Sequence, residues 1–519
     1  MSAIITDQLR ILNAKTFISE VSSSDNAYYV FVGLPNATDV QSNWDTAPPA
    51  PKDSFDEENN YWDTMVSMIK IKPEDIKQVI RKNEWTSGVT YDIYRHNISR
   101  TNPSEPSGAT SLYTSNFYVI NSDFRVYICL NNGQDPENSQ GRPSLDEPKF
   151  TDLEPRSAGN SGDGYIWKYL YTINPTDIVK FDSLNFIPVP KDWTTSADNA
   201  AVRENAETSG QLKTILIKNR GVALGSPNVT YSDVPINGDG AGAKATIVIN
   251  NDSTVERIVI SDGGSGYTYG TVDLVAGGVP TGTTNPEFEV VIPPSGGHGA
   301  DIYRELGAYN VLIYSRISND IQNPDFITGN QIARIGIVES PQAYNSSTVL
   351  TSEKASALGA IKLTGAGYSS AVFAGDSFIT QTVGTGQTAV GRVVAYEQAT
   401  GILKYWQDRT LVGFNTDGSQ NSSPAYGFNL AGFTTAIATG GDTKIYQEDG
   451  ITYFDIDTTF NGASAVINNK TYYLGQTFVS GLSDPEVKPH SGNIIYVDNR
   501  PSITRSANQK EDIKVILQF

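Results

Sequence analysis

Four short patterns in this sequence carry residue types that do chemistry elsewhere. Gly159-Asn-Ser161-Gly-Asp-Gly164 sets a hydroxyl among glycines. It lacks the G-x-S-x-G spacing of a nucleophile elbow and reads as a flexible turn feeding the next strand. Gly238-Asp-Gly-Ala-Gly242 has the glycines of a phosphate cradle. Its neighbours are β turns and no helix clearly follows, so it reads as a hairpin turn. Asp455 and Asp457 in YFDIDTTF share a strand face and are the best local candidates for a glycosidase pair. That chemistry needs carboxylates about 5–10 Å apart; a solvated face near a turn is the plainer reading. His96, His298 and His490 are isolated in sequence, so metal ligation would need the fold to bring them together. No Ca²⁺ loop of the D-x-[DN]-x-[DN]-G type is present. Cys129 lies mid-strand in an apolar run and reads as a small buried residue, not a nucleophile. The expectation is therefore no catalytic residue, no cofactor and no metal.

The elements that would position such groups are short. Residues 7–21 suit one amphipathic helix, and YYVFVGL (28–34) is a dense β run. Residues 35–60 are Pro-rich and polar and read as a long ordered loop or arm. Pro73 opens PEDIKQVIRK with acids in the first turn and Ile76, Val79 and Ile80 on one face, which predicts a short helix. NFYVI (116–120) and RVYICL (125–130) are strands, and residues 131–163 form a polar loop. In YIWKYLYTI (165–173), aromatic and aliphatic residues fall on both faces, which predicts a central strand. Asn174-Pro175 then caps a short turn. ILIKNRGVAL (215–224), IVISDGGSGY (258–267) and IKLTGAGY (361–368) repeat one style, an apolar strand ending in a Gly-rich turn. AYNVLIYSRI, QIARIGIV and the closing DIKVILQF are further strands, the last pinned into a sheet.

Composition agrees. The 519 residues include 46 Gly, 26 Pro and 27 Tyr, with short Val/Ile/Thr/Tyr runs between turn residues, which predicts a mainly β chain. Length suggests roughly three domains at about 150 residues each. With 38 Lys+Arg against 57 Asp+Glu the net charge is −19. That disfavours nucleic acid as a main partner, because phosphate binding needs a basic surface. One cysteine excludes an intramolecular disulfide and a Cys-based zinc site, and suits synthesis in a reducing cytoplasm. No apolar run reaches the roughly 18 residues of a membrane span, and the opening MSAIITDQLRILNAK lacks the layout of a secretion signal.

Three collinear stretches add more. The first is APPAPKD followed by YWDTMVSMIKIKPEDIKQVIRKNEW (61–85), with Trp62, Met65, Lys70, Pro73 and Trp85. The second is GDGYIWKYLYTINP (162–175), with Gly162, Asp163, Gly164, Tyr165, Trp167, Tyr169, Leu170, Ile173 and Pro175. The third is DPEVKPHSGNIIYVDNRPSI (484–503), with His490, Ser491, Gly492, Ile495, Tyr496, Asn499, Arg500 and Pro501. Together they resemble the homodimeric baseplate wedge subunit of contractile-tailed, T-even-type bacteriophages. The resemblance implies a mainly β, multi-domain, β-sandwich-like core with a few short helices and no catalysis. It implies a virion protein of the tail baseplate, whose partners are a second copy and other wedge proteins during tail assembly and contraction.

The resemblance assigns residues 1–205, 299–345 and 484–519 to the wedge core. Residues 206–298 and 346–483 become two Gly-rich β insertions. An alternative reading makes those insertions a host-surface glycan binder or depolymerase. Tyr165, Trp167 and Tyr169 are expected in core or dimer packing. Trp62, Trp85 and Gly164 are further structural or interface candidates. Arg500, in the polar motif with His490 and Asn499, is expected to make a charge-assisted contact, within the protomer or across the assembly.

Overall fold

The computed structural model describes residues 6–23, 27–38, 40–206, 211–318, 324–409, 428, 441–506 and 509–519. The expected mainly β class is what it has: many antiparallel strands and five α-helices among the described residues. The chain divides into two units. One holds Met1–Ile18, Ile76–Ile313 and Val515–Phe519; the other holds Ser19–Asp75 and Tyr314–Lys514.

The first unit is built on an aromatic core. Strands Tyr118–Ile120, Arg125–Asn132 and Tyr165–Thr172 form an antiparallel sheet, with Tyr118 opposite Ile128 and Cys129 opposite Trp167. Phe117, Tyr127, Trp167, Tyr171 and Trp193 are fully buried there. The strand at 165–172 is the outer one of the three, not the central one expected. The segment at Arg156 closes its free edge through paired bonds, Arg156 N to Trp167 O at 3.0 Å and Trp167 N to Arg156 O at 2.9 Å.

The PEDIKQVIRK segment also departs from expectation. Ile76–Arg81 is a strand, with Asn310–Ile313 on one side and Phe186–Pro188 on the other. Pro73 sits in the preceding turn. Ile76, Val79 and Ile80 are β-branched and each is at most 1 % exposed. Two neighbouring strands and burial on both faces outweigh the helix-start signals.

Asn174 does more than cap a turn. It is the N-cap of a helix at Pro175–Phe181, where its Oδ1 accepts Asp177 N at 2.8 Å. Within the Gly-rich stretch, Thr230–Gly238 and Lys244–Ile249 are an antiparallel pair, so the Gly238–Gly242 loop is a hairpin turn as expected. The helix at Asp7–Val21 forms as expected, and Arg10 lies 4.0 Å over the Tyr309 ring. Phe17 meets Phe519 at 5.5 Å between ring centres.

The second unit has a five-stranded sheet in the order Lys354–Ser356, Met65–Lys70, Tyr28–Gly33, Gln331–Glu339, Asn493–Thr504. It also holds a closed antiparallel barrel. Gly359–Thr364, Ile402–Trp406, Gln387–Glu397, Phe378–Gly384, Lys444–Gln447 and Tyr453–Ile456 pair in that order, and the last returns to the first. Ile361, Leu363, Ile379, Ala389, Leu403 and Ile445 are fully buried in its core. Part of the tract expected to be loop at 35–60 is a helix, Phe55–Asp63. Ser54 caps it by accepting from Glu57 N, and Asp56, Glu57 and Glu58 complement the helix dipole in its first turn.

Trp167 is 0 % exposed. Trp167→Ala should lower the stability of the first unit by about 3–5 kcal/mol. Denaturant titration reads this, and an unchanged midpoint would contradict the packing described.

Candidate functional site

A heavily connected polar group of the second unit is the Arg334 guanidinium. Its strand, Gln331–Glu339, runs between Tyr28–Gly33 and Asn493–Thr504, which places Arg334 opposite both Gly33 and Asn499. A Cβ on Gly33 would stand 3.2 Å from Thr64 O and 3.4 Å from Arg334 Cβ, so glycine opens the space the arginine stem crosses. Arg334 is 0 % exposed. Its Nε donates to Asn499 Oδ1 at 2.9 Å, and Nη2 donates to Asn36 Oδ1 at 3.0 Å. Nη1 donates to Asn60 O at 3.2 Å and to Thr64 Oγ1. Tyr61 and Trp44 offer their ring faces at 4.8 and 5.3 Å.

No carboxylate lies within ion-pair distance of this cation among the described residues. Burial pulls its pKa down to about 10, which leaves it charged at neutral pH. The desolvation cost is offset by neutral oxygens and π faces in direct contact, with Glu57 adding a longer-range attraction. The acceptors in turn fasten the polar loop before the helix. Asn499 Nδ2 donates to Pro49 O at 3.0 Å, Trp44 Nε1 to Arg500 O at 2.8 Å, and Ser502 N to Asp45 Oδ1 at 3.1 Å. A guanidinium suits this role because its planar fork supplies donors in fixed directions.

Of the residues expected here, Asn499 is in the clamp. Arg500 contributes its carbonyl to it. The Arg500 guanidinium donates to nearby Asp498, and its side chain is 65 % exposed. Trp62 is buried with Tyr29, Phe31, Met65 and Met68, 6.0 Å from the His490 ring. His490 has a left-handed backbone, φ 59°, and its Nε2 accepts from Arg409. Arg409 also forks onto Asp63 at 2.6 and 2.8 Å. Burial, with Arg409 beside it, pushes the His490 imidazole down to about 4. Burial raises the Asp63 carboxyl against the pull of Arg409.

The remaining expected residues lie in the first unit. Tyr165 stacks on Trp167 at 5.3 Å; its hydroxyl donates to Arg142 O at 2.7 Å and accepts from Tyr91 N at 2.9 Å. Trp85 is half-buried and donates to Ser144 Oγ at 3.0 Å. Tyr169 is half-buried, 5.7 Å from Tyr127. Gly164 has φ 84°, and a Cβ there would stand 2.7 Å from Gly133 Cα, so only glycine fits.

The chemical candidates resolve into structure. Ser161 N donates to Asp146 Oδ2 at 2.9 Å in a turn. Cys129 is buried, which raises its thiol pKa. His298 Nδ1 lies 2.7 Å from Glu305 Oε1, and Glu305 Oε2 accepts Gly299 N. His96 Nδ1 accepts Ile292 N at 3.2 Å. Asp457 lies past its strand's end, accepting from Thr459 N and Oγ1 at 3.2 and 2.7 Å, so it does not share a strand face with Asp455. Among the described residues no group of three or more His, Cys, Asp or Glu could hold a metal ion.

Comparison with known proteins bears on this clamp. Residues 3–145 match the phage Gp8 family, described as "Bacteriophage T4, Gp8". This bears out the wedge-subunit resemblance. The chain is also similar to "Baseplate wedge protein gp8" of Enterobacteria phage T4, 24% identical over 202 residues. That alignment covers 36% of this chain and 60% of the relative's length. The Gp8-matched stretch supplies Asn36, Trp44, Asn60, Tyr61 and Thr64 to the clamp, and Arg334 and Asn499 come from beyond it. Sequence reading missed Arg334. Its only signal is one cation inside the apolar run QIARIGIV.

Arg334→Met should lower the second unit's stability by about 3 kcal/mol or more, because several buried acceptors lose their donor. It should also speed cleavage by a nonspecific protease within residues 35–54. Unchanged melting together with unchanged cleavage would contradict the clamp. For His490, the folded pKa lies below the unfolded value of 6.5, so the unfolded chain binds the extra proton between about pH 6.5 and about 4. The second unit should therefore lose stability as pH falls through that window, and less so in His490→Gln. The ring-proton NMR titration of His490 should have its midpoint near 4; a midpoint near 6.5 would refute the buried contact with Arg409.

Proposed function

We propose that this chain is a structural subunit of a phage tail baseplate wedge and has no catalytic role. It works as a homodimer that joins neighbouring wedge proteins during assembly and holds them through contraction. The observation that carries this reading is the Gp8 match over residues 3–145, together with similarity to a baseplate wedge protein. The chain is made in the host cytoplasm and ends in the virion baseplate. Residues 206–298 and 346–483 are additions to the wedge core. The buried Arg334, held by neutral oxygens, supports the reading, because such a network fixes the geometry of a long loop that offers surface to a partner.

Light scattering on the purified chain at micromolar concentration should give twice the chain mass. Purified particles should contain the protein in a wedge-sized complex with other tail components. A clean monomer would overturn the dimer, and absence from particles would overturn the baseplate assignment.

A further inference from the structure

A cavity of about 470 Å³ opens in the second unit, within the usual size range of small-molecule sites. Three segments wall it: residues 324–328, residues 395–404 of the barrel, and residues 470–474 of a two-stranded ribbon. The ribbon strand Lys470–Phe478 packs Leu474 and Phe478 with Ile402 and Ala360 of the barrel. Beyond that apolar contact, Tyr472 and Tyr473 line the cavity, together with Phe326 and the hydroxyl residues Thr328 and Thr471.

Lys404 is the unusual member of the wall. It is 8 % exposed, and its Nζ has no hydrogen-bond partner. Buried polar groups are nearly always paired, so an orphan ammonium on a cavity wall calls for an explanation. Burial lowers its pKa, and Asp325, Glu486 and Glu397 oppose that shift. Glu397 stands in the same wall as this ammonium, with Lys470 the second cation there. That balance disfavours an anionic ligand. A purely apolar ligand would leave Lys404 unpaired. Tyrosine rings with a donor at the rim match a ring that has C–H faces and a hydroxyl edge.

We propose that this cavity binds a neutral, hydroxyl-rich sugar ring, packed against its tyrosine-lined wall and hydrogen-bonded by Lys404. The proposal does not rest on the wedge reading: a baseplate subunit with or without this site remains one. Most of its wall comes from residues 346–483, which gives that insertion a task at a glycan-bearing surface.

The test is saturation-transfer NMR and calorimetry on the full chain, with methyl glucoside, methyl galactoside, N-acetylglucosamine and glucuronic acid as probes. At least one neutral sugar should bind saturably with a Kd of the order of 1 mM. Tyr472→Ala and Lys404→Met should each weaken it roughly tenfold with melting unchanged. Should Tyr472→Ala misfold, the exposed Tyr473→Ala serves in its place. Absence of saturable binding by any neutral sugar at about 50 mM overturns the proposal. So does tighter binding of glucuronic acid, or binding that survives all three substitutions.

Discussion

An arginine cation sealed from water with only neutral partners sets the terms for the second unit. Each of its donors must meet an oxygen, or the burial cost of the charge goes uncompensated. Asn36, Asn60, Thr64 and Asn499 come from widely separated parts of the sequence, so one side chain couples the register of the sheet to the position of the helix Phe55–Asp63. Trp44 and Tyr61 cover its faces and keep water out. The tract expected to be an ordered loop or arm is thereby held by the Pro49 carbonyl and by the indole of Trp44.

Two further buried arginines in this unit are ion-paired instead. Arg392 is 2 % exposed and meets Asp408 at 2.7 Å and Asp376 at 3.2 Å. Arg505 is 1 % exposed, donates to Phe326 O at 2.9 Å and pairs with Glu511. In a chain of small strands joined by long irregular connections, apolar area alone leaves many loops without an anchor. A buried guanidinium supplies several directed bonds at one point, which is how these connections acquire one conformation.

Much of the fold was legible. Dense apolar runs located Tyr28–Gly33, Arg125–Asn132, Asn310–Ser318 and Gln331–Glu339, and turn chemistry located the Gly238–Gly242 hairpin. What failed, failed for tertiary reasons. PEDIKQVIRK carries local helix signals, but its strand neighbours come from residues 186–188 and 310–313, which no local window contains. The edge position of Tyr165–Thr172 was hidden because a loop, not a strand, covers it. Ring closure of the barrel depends on the pairing of Gly359–Thr364 with two distant strands. The clamp was half legible: Asn499 stood out by its motif, whereas Arg334 looked like a stray charge in an apolar strand.

The threading of the chain through its units has a consequence for biosynthesis. Tyr28–Gly33 is buried along its whole length, yet its neighbour Gln331–Glu339 lies some 300 residues later; Tyr28 and Glu339 are 311 positions apart. At a translation rate of about 5–20 residues per second, the apolar N-terminal strand leaves the ribosome roughly 15–60 s before its mate exists. The first unit's long continuous stretch emerges in that interval and can fold meanwhile. Met65–Lys70 can pair with one edge of the early strand soon after it emerges, but the other edge has to be shielded, by a chaperone or by local collapse, until Gln331–Glu339 has been made.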